Sequence, residues 1–441
     1  MSDEKNTGAG AARRILEMNA FDARARTANA NPRIERRLAN AGASSVLFYR
    51  EPIEIVSASG AWLTAADGQR YLDFYNNVQS VGHAHPRVVA AVSDQIARLN
   101  INTRYLNHVV DGYLEALKAK FPPALSNVVL TCSGSEANDL AVRIAEAASG
   151  GTGIIVTENA YHGNTAIISA ISPSAMKQRD LASHVVAIPA PAPADHGGSI
   201  SDAFAAYMTE AIAELERRGH TLAAFICDSI FSSDGVYADP PGFLRESIAQ
   251  VHAAGGLYIA DEVQPGFART GDAFWGFARH GVTPDIVTMG KPMGNGFPMA
   301  GLVTRPGLLE RFCEDTGYFN TFGGNPVAAA AGLAVLDVIE TEQLQENARK
   351  HGAHIRDRIR DLAAQDERIT GVRGAGLFIG IELFRADLAS NVINGLKTKG
   401  VLIGAAGRMG NTLKVRPPLS LTAGEADLFV DRLSETLRAS A

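Results

Sequence analysis

The sequence predicts an α/β protein with a mostly parallel central sheet between layers of helices, and a smaller α+β domain built from both chain ends. Apolar runs of strand length alternate with helical stretches through the middle of the 441-residue chain. They are NVVLTC (127–132), GIIVTE (153–158), HVVAIPA (184–190), LAAFICDSI (222–230), LYIADEV (257–263), DIVTMG (285–290) and MAGLVT (299–304). Strands that are apolar throughout are typical of parallel sheets, because helices cover both of their faces.

The two ends of the chain follow a different pattern. Residues 53–76 predict short strands around a tight turn at Asp67-Gly68. In the tail, GLFIGIEL (376–383) and TLKVRPPL (412–419) predict strands among helices. These patterns predict three segments. The segments are residues 1–75 (an N-terminal arm and part of the small domain), 76–326 (the large domain) and 327–441 (the C-terminal part of the small domain).

The N-terminus is rich in alanine and arginine, a composition that transit peptides share. Acidic residues interrupt it at Asp3, Glu4, Glu17 and Asp22. Because transit peptides are poor in acidic residues, we expect a helical arm of the mature protein instead.

The composition argues against several classes of function. Hydrophobic residues make up 46% of the chain, charged residues 20%, and the net charge is −6, so we expect neither a nucleic-acid partner nor a membrane partner. Cys132, Cys227 and Cys313 are too widely spaced for a disulfide framework, which fits a reducing, cytoplasmic location. His83 and His85 are only two ligands, one residue apart, so we expect no metal.

Polar residues follow the first two apolar runs, at the strand ends where open α/β sheets bind ligands. Ser133-Gly134-Ser135 opens a helix, whose free N–H groups and dipole attract an anion. An ordinary capped helix start explains the same residues. Tyr161 and His162 follow the next run, where an aromatic ring could stack on a flat cofactor or pack in a turn.

A carboxylate and a lysine follow two later runs. Asp261 ends a buried run, so it either forms a salt bridge or faces a cationic heterocycle. Lys291 follows DIVTMG, where desolvation would lower the pKa of the amine and make it nucleophilic; a solvated lysine or a partner for Asp261 is the alternative. An anion cradle, a stacking aromatic ring, a carboxylate and a lysine together meet the needs of pyridoxal 5'-phosphate.

Six motifs in combination resemble the class-III aminotransferase family of fold type I pyridoxal-phosphate enzymes. The similarity runs from about Tyr49 to Ala441. The motifs are CSGSEAND (132–139), AYHGNT (160–165), ADEVQPGFARTG (260–271), TMGKPMGNG (288–296), YFNTFGGNP (318–326) and GVRGAGLFIGIEL (371–383).

The resemblance implies a role for each matching residue. Lys291 would hold the cofactor as a Schiff base and act as the general base, and Asp261 would pair with the pyridinium nitrogen. The other implied cofactor contacts are Gly134 and Ser135 at the phosphate, Tyr161 stacked on the ring with His162 beside it, Gln264 near the phenolic oxygen, and Thr321 at the phosphate of the neighbouring subunit. The last role implies a homodimer with shared active sites, with a tetramer as the larger alternative.

Two departures from the family pattern lie in the expected substrate pocket. Ser233, in DSIFSS (228–233), stands where ornithine- and GABA-type relatives have a gate glutamate. Lys414 replaces the arginine that binds the substrate carboxylate in those enzymes, and Arg416 follows two positions later on the same face of a strand. The two cations, with no gate glutamate to neutralise them, would suit a dianion or a carboxylate, unless one or both point to solvent.

The subgroup that this chain most resembles covers two reaction types. YNNVQSVGHAHP (75–86) and NTRYL (102–106) are similar to alanine–glyoxylate aminotransferase and to phospholyases of phosphoethanolamine and phosphohydroxylysine. We expect an aminotransferase that moves an amino group from a small amine or amino acid to a keto acid, with Tyr49 and Asn77 in the substrate pocket. The alternative is a lyase that eliminates phosphate or ammonia from a small phosphorylated or phosphonate amine. A cofactor-binding protein without chemistry would lack the lysine or the aspartate.

Overall fold

The structure is a computed structural model that describes residues 17–22, 31–176, 180–192 and 199–440. The expected N-terminal arm falls partly outside these residues, although a helix at Pro32–Ala41 lies within them. No helix in these ranges is both long enough and apolar enough to span a bilayer.

Strands and helices alternate through the middle of the chain, as the apolar runs predict. The strands are β1 (Ile55–Ser59), β2 (Trp62–Ala65), β3 (Arg70–Asp73), β4 (Asn127–Thr131), β5 (Gly153–Thr157), β6 (Val185–Ile188), β7 (Leu222–Cys227), β8 (Leu257–Asp261), β9 (Ile286–Met289), β10 (Ala300–Thr304), β11 (Ile369–Ala375), β12 (Phe378–Leu383), β13 (Val401–Leu402), β14 (Gly404–Ala406) and β15 (Thr412–Val415). The α-helices are α1 (Pro32–Ala41), α2 (Pro86–Arg98), α3 (His108–Lys118), α4 (Gly134–Ser149), α5 (Ala166–Ala170), α6 (Ile200–Arg217), α7 (Arg245–Ala253), α8 (Pro306–Asp315), α9 (Pro326–Thr341), α10 (Leu344–Ala363), α11 (Ala386–Thr398) and α12 (Ala423–Ala439).

The central sheet has the strand order β4-β10-β9-β8-β7-β5-β6. The neighbours from β9 to β6 are parallel, and β10 runs antiparallel to both β9 and β4. The direction of β10 follows from its connection, because a short turn over residues 290–299 replaces the crossover helix that parallel neighbours need. The prediction of a mostly parallel sheet with helices around it is therefore confirmed.

Two four-stranded sheets lie outside the central sheet, with strand orders β1-β2-β3-β13 and β11-β12-β15-β14. The first joins the two ends of the chain, because Val401 and Leu402 pair in parallel with Leu72 and Asp73. The tail strands predicted from the sequence correspond to β12 and β15. The segment boundaries at residues 76 and 327 stay predictions.

Candidate active site

A histidine, an aspartate and an asparagine meet at the carboxyl rim of the central sheet. His162 follows β5, and its Nδ1 lies 2.7 Å from Oδ2 of Asp261 at the end of β8. Asn138 on α4 donates from Nδ2 to the same carboxylate oxygen at 3.0 Å, and to the carbonyl of His162 at 2.7 Å. The aspartate is thus held by residues from two other elements, α4 and the loop after β5.

A second layer of hydrogen bonds fixes this group. Thr288 Oγ1, on β9, donates to Asn138 Oδ1 at 2.5 Å, which leaves Nδ2 of Asn138 to face the carboxylate. The backbone N–H of Val263 donates to Asp261 Oδ1 at 3.1 Å. Asp261 is buried and accepts from Asn138 and from the backbone N–H of Val263, so both of its carboxylate oxygens are held in a fixed orientation. The other interpretation of Asp261, a salt bridge, is partly supported as well, because His162 lies against its carboxylate.

Lys291 follows β9 directly and has an unusual backbone. Its φ of +26° lies in the left-handed region, where a non-glycine residue costs about 1–3 kcal/mol, a strain that is frequent at active sites. Burial lowers the pKa of its amine, and the charge of Arg416 acts in the same direction, whereas Asp261 and Asp228 raise it. The amine therefore loses its proton more readily than a surface lysine, as a nucleophile requires.

The Ser133-Gly134-Ser135 turn is a capped helix start, and its role as an anion cradle stays a prediction. Ser133 caps α4 by accepting from the N–H of Glu136 at 3.3 Å, and Glu136 accepts from the N–H of Ser133 at 2.9 Å. Gly134 and Ser135 are then the first residues of a 16-residue helix. Gly134 N lies 3.5 Å from the point that a Cβ on Gly290 would occupy, which places the cradle beside Lys291.

The loop after β5 closes over this helix start. Gly163 has a φ of +137°, and a Cβ there would come within 2.8 Å of Ser135 Cα. The N–H of Asn164 donates to Ser135 Oγ at 3.1 Å. Tyr161 is half-buried in the same loop, and burial raises the pKa of its phenol. Tyr161, His162 and Ser135 therefore come together, whereas Thr321 is exposed on the loop between α8 and α9.

Two buried cations lie at the end of β15. Lys414 and Arg416 are only 3% and 8% exposed, so neither points to solvent. Lys414 Nζ is 5.4 Å, and Arg416 Cζ 6.0 Å, from the centre of the Phe378 ring, while Tyr75 lies 5.0 Å from the same guanidinium. Of the two alternatives left open by the sequence, the structure supports the one that directs both cations to one pocket.

Gln264 joins these two cations through Ser232. Its Oε1 accepts from Arg416 Nη1 at 3.2 Å, and its Nε2 donates to Ser232 Oγ at 2.7 Å. Lys414 Nζ lies 3.4 Å from the same hydroxyl oxygen. The implied contact between Gln264 and the cofactor stays a prediction, and its amide is already engaged by Arg416 and Ser232.

Two carboxylates in and next to the DSIFSS segment lie near Lys414, although the sequence predicted no gate glutamate to neutralise Lys414 and Arg416. Ser233 contributes no carboxylate, and its carbonyl accepts from the N–H of Gly407 at 3.1 Å. Asp228 and Asp234 flank it, however, and both are near enough to favour the charged form of Lys414. Asp234 accepts from Thr157 Oγ1 at 2.9 Å, and burial raises its pKa to about 7.

Tyr49 and Asn77 are both buried. The hydroxyl of Tyr49 donates to the carbonyl of Ile403 at 3.3 Å, and burial raises the pKa of its phenol. Nδ2 of Asn77 is buried without a hydrogen-bond partner among the described residues, so it can donate to a bound molecule.

The two histidines of GHAHP hydrogen-bond to different carboxylates. Nε2 of His83 lies 2.7 Å from Asp73, and Nε2 of His85 lies 3.1 Å from Glu342. They do not form a joint site. In the described ranges, no cluster of three or more histidine, cysteine, aspartate or glutamate residues could hold a metal ion.

Sequence reasoning assigned no role to Asn138, Thr288, Ser232 or Phe378. Asn138 left a signal that could have been used, because it is a polar residue next to the apolar face of α4 formed by residues such as Ala137 and Ala141. The other three gave no such signal, since their positions depend on how distant strands and loops meet.

The residues present fit pyridoxal 5'-phosphate. Asp261 Oδ1 accepts from Val263 and keeps acceptor capacity for a pyridinium N–H. The helix start at Gly134 offers N–H groups to a phosphate, and Lys291 offers an amine of lowered pKa. The fold and this set of groups define a fold type I enzyme that depends on pyridoxal 5'-phosphate.

The chain belongs to the class-III aminotransferase family, whose family model, Aminotransferase class-III, matches residues 48–437. The resemblance inferred from its motifs is confirmed, as is the expectation of a pyridoxal 5'-phosphate enzyme.

Its relatives include both reaction types expected from the sequence. Alanine–glyoxylate aminotransferase 2 homolog 2, mitochondrial, from Arabidopsis thaliana is 40% identical, with 89% of this chain and 84% of that protein covered. Ethanolamine-phosphate phospho-lyase homolog 1 from Caenorhabditis elegans is 35% identical, with 92% of each covered. A solved phospholyase from Arthrobacter in complex with phosphoethanolamine is 43% identical, with a TM-score of 0.89 and coverage of 92% of this chain and 99% of that chain.

Proposed function

We propose that this enzyme eliminates phosphate from a small phosphorylated amine. The supporting observation is the pair of buried cations, Lys414 and Arg416, which share one pocket near Lys291. A phosphate monoester carries between one and two negative charges near neutral pH and several acceptor oxygens, so it suits two cations better than a carboxylate does. The similarity to phospholyases from two organisms supports the same choice.

The bound cofactor supplies an electron sink for the carbon next to the substrate nitrogen. Asp261, held by His162 and Asn138, would pair with the nitrogen of the cofactor ring. The amine of Lys291 accepts the proton from the carbon that bears the nitrogen. Lys414 and Arg416 hold the phosphate while its C–O bond breaks and the electron pair leaves with the phosphate oxygen.

We assign the remaining contacts by their place in the site. The start of α4 at Gly134 and Ser135 would bind the phosphate of the cofactor, because Gly134 N lies beside Lys291. Tyr161 would stack on the ring from the loop that also carries His162. Tyr49 and Asn77 line the substrate side, where the free N–H of Asn77 donates to the substrate.

Transamination between a small amine or amino acid and a keto acid is the second candidate. The carboxyl groups of Asp228 and Asp234 favour this reaction, because they offset the charge of Lys414 and leave Arg416 to bind a single carboxylate. The family and the Arabidopsis relative support it as well.

The two candidates differ in their need for a second substrate. Wild-type enzyme is mixed with phosphoethanolamine and no keto acid, and inorganic phosphate is measured over many turnovers. Multiple-turnover phosphate release supports elimination. If phosphate stays bound to carbon and the amine is consumed only when pyruvate, glyoxylate or 2-oxoglutarate is added, the lyase proposal is wrong and the enzyme is an aminotransferase. Lys291→Ala serves as the blank in both assays.

A homodimer with shared active sites is the assembly that we propose, with a tetramer as the larger alternative. Leu106 and Phe322 are 99% and 70% exposed, an unusual degree for large apolar side chains. Thr321 lies next to Phe322, so a second copy seated on this surface receives the threonine hydroxyl at the same time. The resemblance implies that this hydroxyl donates to the phosphate of the cofactor in the second copy.

We also propose a cytoplasmic location. Cys132, Cys227 and Cys313 are free thiols, which fits a reducing compartment. Cell fractionation of the native protein tests this proposal, and recovery in an organelle would contradict it.

A further inference from the structure

The lysine turn, Lys291–Gly294, is closed by its own backbone. The N–H of Met293 donates to the carbonyl of Gly290 at 2.9 Å. The N–H of Asn295 donates to the carbonyl of Pro292 at 3.1 Å. Asn295 ends the turn with a φ of +48°, in the left-handed region that asparagine tolerates better than most residues. The place of Asn295 and the place of the lysine backbone are therefore linked.

The side chain of Asn295 fastens this turn to a second segment, residues 75–83, which we call the pocket segment. Its Oδ1 accepts from the N–H of Val81 at 3.0 Å, and its Nδ2 donates to the carbonyl of Gly82 at 2.8 Å. The two contacts fix which way the amide faces, because one needs an acceptor and the other needs a donor. Asn295 is therefore a clamp between two segments that are more than 200 residues apart in the chain.

The pocket segment is anchored at both of its ends. Asp73, which is fully buried just before it, accepts from the N–H groups of Tyr75 and Asn76 at 3.0 and 2.9 Å. At the other end, the N–H of His83 donates to the carbonyl of Gly60 at 2.8 Å. Nε2 of His83 lies 2.7 Å from Asp73 as well. These anchors do not involve the lysine turn, so the clamp sets the spacing between two otherwise separate units.

The two units carry groups for different parts of the substrate. Lys291 provides the amine, and the pocket segment provides Asn77, whose Nδ2 is buried without a hydrogen-bond partner among the described residues. The cations are held separately, because Lys414 and Arg416 lie at the end of β15 and the N–H of Arg416 donates to the carbonyl of Phe74 at 2.8 Å. A slip at the clamp would therefore move the amine relative to a substrate that is still bound by its anion.

We propose that Asn295 is a positioning residue, which holds the amine of Lys291 at the distance from the substrate that proton transfer needs. This inference rests on the roles proposed above for Lys291 and Asn77. Proton transfer requires the two groups to come within hydrogen-bond reach of one another. A misplacement of about 1 Å that originates outside the reacting groups costs about 100-fold in rate. Asn295 thus acts through the lysine and not on the substrate.

Asn295→Gly is the variant that isolates the side chain. Glycine adopts a φ near +48° without strain, so the backbone of the turn is kept while both side-chain hydrogen bonds are lost. Asn411→Gly is the matched control, because it removes an amide that donates to the carbonyl of Leu383 at 2.7 Å in another sheet. The control should lower the melting temperature and leave the kinetics unchanged.

Hydrogen exchange of the cofactor-loaded enzyme, followed by mass spectrometry, measures the clamp directly. In peptides that span residues 74–84, the amide of Val81 should be protected in the wild type and should exchange at least about tenfold faster in Asn295→Gly. The amide of His83, which donates to Gly60, is the internal reference and should change less. An unprotected Val81 in the wild type, or equal exchange in the two proteins, would overturn the clamp.

The second measurement is made on whichever reaction the wild type catalyses, phosphate release or amine consumption that depends on a keto acid. In Asn295→Gly, kcat should fall about tenfold or more while KM changes by less than about threefold, because the cations still bind the anion. Deuterium on the carbon that bears the nitrogen should slow this variant more than the wild type, since proton transfer to the misplaced amine limits the rate. A loss of stability alone, as in Asn411→Gly, does not change this isotope effect.

Two failures have different meanings. If Val81 exchanges faster in Asn295→Gly but kcat and the isotope effect equal those of the wild type, the clamp is present and the positioning role is wrong. If the wild type releases no phosphate from phosphoethanolamine, the proposed elimination fails. The positioning role is then tested in the same way on transamination, because the amine of Lys291 removes the same proton in both reactions.

Discussion

His162 Nδ1 and Asp261 Oδ2 lie 2.7 Å apart, although 99 residues separate them in the chain. The same oxygen accepts from Asn138, so both N–H donors converge on one atom of the carboxylate. The other oxygen of the carboxylate, Oδ1, accepts from one backbone N–H, that of Val263. The carboxylate is therefore fixed in orientation, and a change at either donor should alter its chemistry without removing it.

Replacing His162 by alanine is expected to lower kcat by about tenfold or more, because a hydrogen bond to a charged group contributes about 1.5–3 kcal/mol. Asp261 keeps Asn138 as a donor, so some activity remains. Steady-state kinetics and cofactor affinity are the measurements. His220→Ala, at a histidine that contacts Thr152 and Ser183 on the surface, is the control. Unchanged kcat in His162→Ala would show that the histidine does not orient the aspartate.

Replacing Lys291 by alanine should abolish the visible absorption of the lysine-bound cofactor and the activity, while the fold remains. The variant without cofactor should melt at the same temperature as the wild type without cofactor, or higher, because a desolvated amine has been removed. Spectra and thermal unfolding of both forms test this. Lys120→Ala, at a half-buried lysine paired with Glu340, should keep the absorption. A retained absorption band in Lys291→Ala would assign the cofactor to another lysine.

The parallel sheet and the rim residues could be predicted because they depend on local pattern. Apolar runs identify strands, and the residue after each run is placed at the rim by the chain direction alone, as for Asp261 and Lys291. The antiparallel direction of β10 could not be predicted, and neither could β13 and β14, which have only two and three residues. The pairing of all three depends on distant partners. The same holds for Ser232 and Phe378, which meet Lys414 only through tertiary packing.

Replacing Gly163 by alanine is expected to weaken cofactor binding and to lower the melting temperature. The new Cβ would come within 2.8 Å of Ser135 Cα, and the φ of +137° is one that alanine rarely adopts. The cost should exceed about 1 kcal/mol in the free energy of unfolding, measured with denaturant. Gly112→Ala in α3 is the matched control, because its Cβ would meet open space in a helix and should stabilise the chain. Equal stability of the two variants would contradict the close approach.

Replacing Leu106 by glutamate should weaken the proposed dimer. The side chain is 99% exposed in the single chain, so the substitution has little effect on the fold of one subunit but places a charge on the apolar contact. Sedimentation should show more monomer, and activity per subunit should fall with dilution. Phe384→Glu, at an apolar residue that is 49% exposed, is the control. A Leu106→Glu protein with the wild-type assembly state would exclude this surface from the interface.

Replacing Asp234 by asparagine should change how stability depends on pH. Burial raises the pKa of Asp234 from 3.8 to about 7, so between these values the folded chain holds a proton that the unfolded chain has released. Wild-type stability therefore falls as pH rises through this range, by up to roughly 4 kcal/mol from this group, and is unaffected by it below pH 3.8. Asparagine keeps the contacts with Thr157 and Asn159 without ionising, so the variant should gain on the wild type as pH rises. Denaturant unfolding at several pH values measures this gain. Asp366→Asn is the control, because Arg368 lowers the pKa of Asp366 from 3.8, so the stability linked to this group changes only below pH 3.8 and the difference between this variant and the wild type should stay constant between pH 3.8 and 7. A constant difference between Asp234→Asn and the wild type would mean that Asp234 is ionised in the folded chain throughout.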